Sequence, residues 1–121
     1  MALTEGIERT EEFRVEGDLV TDVDGTLPMA VLSTPGMIGM MEYAATRLVA
    51  DDLPPEHATV GFEVCVKHVG GALEGAVCTV TARLREVIEE RKLRFDVEVH
   101  EGVRPIGVGT HERRVISVRE R

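Results

Sequence analysis

Three side chains in this sequence have the types that hydrolysis of an activated carbonyl requires: the hydroxyl of Thr34, the carboxylate of Glu42 and the imidazole of His68. A carboxylate can attack a carbonyl or take a proton from water, an imidazole moves protons near neutral pH, and a hydroxyl can hold water or assist attack. Glu42 is the most informative of the three. It is the one carboxylate between Pro35 and Thr46, in a stretch where Met37, Ile38, Met41, Ala44, Ala45, Leu48 and Val49 make a broad apolar surface. Burying a lone carboxylate costs several kcal/mol, on the order given for polar burial. Glu42 therefore needs a cationic partner, for which Arg113 or Arg47 would serve, or a chemical task. Plain readings stand beside these: Thr34 as a helix cap, His68 as a hydrogen-bonded core histidine.

The spacing shows how these groups are positioned. Residues 33–50 read as a helix, with Thr34 as N-cap and Pro35 at the first helical position, where its missing N–H costs nothing. Asp51-Asp52-Leu53-Pro54-Pro55-Glu56 stops it. On that helix Thr34 and Glu42 lie within ~80° of each other and ~12 Å apart along the axis, so they flank one cavity without touching. The helix start also gathers free N–H groups suited to a developing oxyanion. In the strand that follows, Val60, Phe62, Val64, Val66 and His68 share one face, and Thr59, Gly61, Glu63, Cys65 and Lys67 share the other. That alternation turns His68 inward, toward the helix.

The other segments supply the frame. Residues 1–10 read as a loose polar arm, and Phe13, Val15, Gly17 and Leu19 alternate as a half-buried strand. Asp22-Val23-Asp24-Gly25-Thr26-Leu27-Pro28 is turn chemistry, without the downstream ligands of a calcium loop. Strands follow over residues 76–88, over 93–99, and from Ile106 to about Val118. His57 and His100 read as solvated, and His111-Glu112-Arg113-Arg114 as a charged strand surface. The expected fold class is α+β: an antiparallel sheet of about five strands wrapped around one long central helix.

Composition narrows the function classes. One domain spans residues 1–121, and the hydrophobic content of 43% fits a globular core. A net charge of −8 speaks against nucleic acid, which needs a basic stripe to meet phosphates. Aromatics make up 3% of the chain with no tryptophan, which disfavours a stacking platform. No run reaches the ~20 apolar residues of a membrane span, and the N-terminus has no signal-peptide pattern, so no membrane partner and a cytoplasmic location are expected. Cys65 and Cys78 read as small packing residues, with neither disulfide nor zinc spacing.

Taken together, Thr34-Pro35-x-Met37-x-Gly39-x-Met41-Glu42, then Gly61 and His68, then Gly107-x-Gly109-Thr110-His111-Glu112-Arg113, resemble the fluoroacetyl-CoA thioesterase-like branch of the hotdog-fold thioesterases. The resemblance runs from about Leu32 to Val118. It implies a homodimer whose sheets join, with acyl-CoA near the interface; whether dimers pair further into a tetramer is left open. It also implies Thr34, Glu42 and His68 as catalytic residues, with Gly61, Arg113, Pro35 and Gly36 close to the substrate. CoA enters as the substrate's thioester and no cofactor or metal is expected. The fluoroacetyl-specific enzyme has two phenylalanines before the helix; the matching Gly25-Thr26-Leu27-Pro28-Met29 has no aromatic, which implies a broader acyl-CoA thioesterase acting on a small or medium acyl group. The competing reading is a non-catalytic acyl-CoA-binding or regulatory dimer on the same fold. A hotdog dehydratase ranks lower, because the Asp/His helix motif of such enzymes has no match here.

Overall fold

The structure, a computed structural model, describes residues 3–119. One helix, α1 (Thr34–Ala50), lies against a five-stranded antiparallel sheet built from β1 (Glu8–Arg14), β4 (His57–His68), β5 (Val77–Ile88), β6 (Lys92–Glu101) and β7 (Arg104–Ser117). Two short strands, β2 (Val20–Thr21) and β3 (Val31–Leu32), pair with each other ahead of the helix. The sheet order is β1-β5-β6-β7-β4, so β1 and β4 are the edges. This is the expected α+β class.

Period-two alternation sets the core. Cys78, Val80, Ala82 and Leu84 of β5 and Leu93, Phe95, Val97 and Val99 of β6 all point inward and are buried. Met37, Met41, Ala44, Ala45 and Val49 of α1 close over them. Met37 and Met41 come so close to Gly107 that a side chain there would collide with them. Small backbone on β7 is thus what lets the helix settle onto the sheet.

Several expectations need correction. The helix is not covered on most sides: Pro35, Gly39, Tyr43 and Arg47 are exposed, and the buried stripe is one face wide. Of the polar segment 1–10 expected as a loose arm, residues 3–7 are loop and turn, but residues 8–10 already belong to a strand. Glu8–Arg14 pairs with β5 from Glu8↔Arg83 to Arg14↔Val77, and Met1 and Ala2 lie outside the described residues. Polar residues suit it because an edge strand shows one face and one rim to water. Gly17–Leu19 is a turn of 3-10 helix instead of strand, since Gly17 has φ +60°, off the extended path. Cys78 is buried as expected, but Cys65 is exposed, because β4 is an edge.

The face assignment within β4 also changes. Gly61 pairs with Arg113 and Glu63 with Glu112, which leaves Phe62 as an extra, bulged residue. The bulge breaks the alternation. Beyond it Val64, Val66 and His68 keep the inward face, opposite His111, Gly109 and Gly107. Before it Thr59 and Gly61 are inward, and Val60 and Phe62 turn out, where Arg114 lies 3.6 Å above the Phe62 ring.

Candidate active site

The start of α1 is capped by Ser33, not Thr34. Ser33 is extended and its Oγ accepts from the Gly36 amide at 2.9 Å. Thr34 is then the first helical residue, and its hydroxyl is not engaged in capping. It lies 2.9 Å from His68 Nδ1 instead. The other ring nitrogen, His68 Nε2, is buried and has no hydrogen-bond partner among the described residues. A buried polar nitrogen left unpaired is costly, which marks it as a point where a ligand or water completes the site.

An open cleft of about 400 Å³ lies over this pair, lined by Val31, Leu32, Thr34, His68, Val69, Gly70 and Gly71. Its walls are short aliphatics and bare backbone. The first-turn amides bear on what the cleft offers a carbonyl. Pro35 has none, that of Gly36 serves the Ser33 cap, and that of Met37 donates to Ser33 O at 2.9 Å. The Thr34 amide is the first-turn donor left over. Pro35 and Gly36, expected near the substrate, shape this turn; a side chain at Gly36 would come within 2.9 Å of Leu19 O.

Glu42 belongs to a second group. Its Oε2 is 3.7 Å from Arg113 Nη1, and its side chain is 41% exposed, so it is neither fully buried nor alone. Gly61 lies directly beneath: a Cβ there would sit 2.8 Å from Glu42 Oε2. Arg113 is 8% exposed and tightly held. Its Nε donates to Thr59 Oγ1 at 2.8 Å, its Nη2 to Thr59 O at 3.0 Å, and its Nη1 to His111 Nε2 at 3.2 Å. His111 in turn donates from Nδ1 to Glu63 O at 2.8 Å, which fixes its tautomer. Burial, followed by the neighbouring guanidinium, pushes the His111 imidazole below its usual value, and Glu42 and the Glu63 carbonyl oppose this.

Within one chain, then, the structure joins Thr34 to His68 and joins Glu42, Gly61 and Arg113, but it does not join the two groups. Gly61 and His68 are separated along β4 by six ladder steps once the bulge is discounted, roughly 20 Å at ~3.3 Å per step. No hydrogen bond or ion pair among the described residues links Glu42 to Thr34 or His68. Thr59 and His111 were missed from sequence. His111-Glu112-Arg113-Arg114 is not a solvated surface: His111, Glu112 and Arg113 are all buried. The signal was available, because on β7 the alternation that turns Gly107 inward also turns Gly109, His111 and Arg113 inward. Glu112 faces the other side, where Arg114 and Arg94 pair with it at 2.9 and 3.2 Å.

Comparison with known proteins points in one direction. Residues 15–119 match the family model described as fluoroacetyl-CoA-specific thioesterase. A fluoroacetyl-CoA thioesterase from Streptantibioticus cattleyicolor is 44% identical over 88 residues, 73% of this chain. The aligned part spans 63% of that relative's length. The solved structure of the fluoroacetyl-CoA thioesterase FlK superposes with a TM-score of 0.88 at 34% identity, covering 99% of this chain and 93% of the other. A Thermus thermophilus thioesterase superfamily member superposes at 0.87 with 25% identity, over 98% of this chain and 88% of the other. These likenesses bear out the hotdog fold.

Proposed function

The chain belongs to the fluoroacetyl-CoA-specific thioesterase family, and from that premise we propose that it hydrolyses acyl-CoA thioesters bearing a small or medium aliphatic acyl group. The observation that carries the reading is the Thr34 Oγ1–His68 Nδ1 pair beneath a cleft, with His68 Nε2 buried and unpaired. A hydroxyl against an imidazole whose far nitrogen awaits a partner is suited to moving a proton during attack on a carbonyl. The Thr34 amide, at the positive end of α1, is placed to meet the developing oxyanion. The cleft walls Val31, Leu32 and Val69 are aliphatic, which supports a range of unbranched acyl groups over selection of fluoroacetyl.

Glu42 enters through a second copy of the chain. Strand β4 is an unpaired edge with exposed Val60, Phe62 and Val64, whereas the other edge, β1, carries Glu8, Arg9, Glu11, Glu12 and Arg14, charges that discourage edge pairing. An antiparallel β4–β4 junction about an axis at Cys65, with the bulge discounted, sets His68 of one copy opposite Gly61 of the other. Glu42 rests on Gly61, so the carboxylate of one chain then faces the Thr34–His68 pair of the next. In this homodimer Glu42 acts as nucleophile or as base on water, Thr34 positions the attack, and His68 moves the proton. A tetramer would be a further pairing of such dimers. The setting is the cytoplasm, where CoA esters are made and where Cys65 stays an exposed free thiol; among the described residues no helix is long and apolar enough to cross a membrane.

Thiol release from acetyl-CoA and longer acyl-CoA esters tests the reading. Turnover on several aliphatic esters is expected. Tight binding, seen as a ligand-dependent rise in Tm, with no thiol released would favour the non-catalytic acyl-CoA-binding dimer.

A further inference from the structure

We propose that His111 is a positioning residue of the reaction: it holds the Arg113 guanidinium, and through it the carboxylate of Glu42, in the working geometry. The inference rests on the reading of Glu42 as the acting carboxylate. It starts from the bulge in β4. Skipping Phe62 in the ladder leaves the Glu63 carbonyl directed at β7, where it accepts from His111 Nδ1–H at 2.8 Å. With the proton on Nδ1, Nε2 carries a lone pair, and that lone pair accepts from Arg113 Nη1 at 3.2 Å. The same Nη1 is the atom 3.7 Å from Glu42 Oε2.

Thr59 completes the clamp. Its Oγ1 and its carbonyl take Nε and Nη2, so with His111 the guanidinium is held on all three nitrogens, and the second N–H of Nη1 is left on the side of Glu42. The plane of the His111 ring is set by Phe95 of β6, stacked at 6.1 Å between centroids. The groups that face the His111 ring are therefore the Glu63 carbonyl from β4, Arg113 from its own strand, Glu42 from α1 and the uncharged Phe95. Protonating His111 turns Nε2 from acceptor to donor against a cation. Arg113 must then withdraw, and Glu42 loses its partner. Burial and Arg113 both oppose that protonation, which keeps the relay intact at neutral pH.

The test combines His111→Phe, which keeps the ring on Phe95 and removes the acceptor, with His111→Gln, whose amide can still accept from Arg113. His111→Phe is expected to lower kcat roughly tenfold to 100-fold, the scale of a misplaced catalytic group, with KM changed less than about threefold. His111→Gln is expected to recover most of kcat and to lose one ionisation from the acid limb of the pH profile. Ring 15N shifts of the wild-type protein, which need no variant to fold, should show the Nδ1–H tautomer and titration below an ordinary histidine, moving up in Arg113→Ala. An Nε2–H tautomer, or an active wild type whose kcat is untouched in His111→Phe, overturns the proposal. An inactive wild type instead removes the thioesterase reading on which it rests.

Discussion

The hydroxyl of Thr34 lies 2.9 Å from His68 Nδ1, and it is free to do so because Ser33 holds the helix cap. The two neighbours therefore separate stability from activity. Ser33→Ala should cost about 1 kcal/mol, the usual loss for a cap, seen as a lower Tm. Thr34→Ala should leave Tm almost unchanged while kcat for thioester hydrolysis falls by roughly 100-fold, the scale of general acid–base assistance. A large stability loss in Thr34→Ala would return the hydroxyl to a structural role.

Glycine at position 61 is a clearance requirement. A Cβ there would meet Glu42 Oε2 at 2.8 Å and Arg113 Nη1 at 3.6 Å. The nearer atom ends a flexible, part-exposed side chain, so Gly61→Ala should move Tm by no more than about 1 kcal/mol equivalent. The displaced carboxylate should nonetheless lower kcat at least about tenfold. Parallel melting curves and initial rates of thiol release check both halves.

Stability should fall on mild acidification. His111 has its imidazole pushed below the ordinary value of 6.5, so the unfolded chain takes up that proton more readily than the folded one. Its contribution is complete above pH 6.5 and is lost as pH falls toward the folded value. Glu112, held below 4.5 first by Arg114 and also by Arg94, adds a second loss at lower pH. Urea unfolding between pH 8 and pH 5 should show the decline for the wild type and a flatter course for His111→Gln.

The edge of β4 makes a sharper prediction about assembly. Sedimentation should give a species of twice 13.3 kDa, and Phe62→Lys with Val60→Lys should weaken it. Mixing inactive Thr34→Ala and Glu42→Gln chains tests whether the site is shared. If Glu42 serves the Thr34–His68 pair of the other copy, each mixed dimer has one intact site. Random mixing, with about half the dimers mixed, then restores about a quarter of wild-type activity by mass action. No recovery in a confirmed mixture would place all three groups in one chain.

Much of this was legible in the sequence because it follows local rules. The Pro35 start and Asp51-Asp52 stop bracket α1, and period-two alternation gave the inward faces of β5 and β6 correctly. What was not legible depends on register and neighbours. The Phe62 bulge swapped the faces of Val60 and Gly61, and nothing in the local alternation signals an extra residue in a ladder. Ser33 and Thr34 are both good caps, and the bond from Ser33 N to Leu19 O across the chain accompanies the choice of Ser33. The charges of His111-Glu112-Arg113-Arg114 suggested a wet surface, yet their partners come from β4, β6 and α1, far away in sequence. Thr34, Glu42 and His68 were expected around one hollow, whereas one chain divides them between the C-terminal end of β4, at His68, and the bulge near its middle, at Gly61.

We propose hydrolysis at the Thr34–His68 pair, with Glu42 as the acting carboxylate. Steady-state thiol release from acetyl-CoA, compared for the wild type, Thr34→Ala, His68→Ala and Glu42→Gln, tests it most directly. Turnover by the wild type and a loss of kcat of about 100-fold or more in each variant are expected. Wild-type turnover that survives all three substitutions would contradict it.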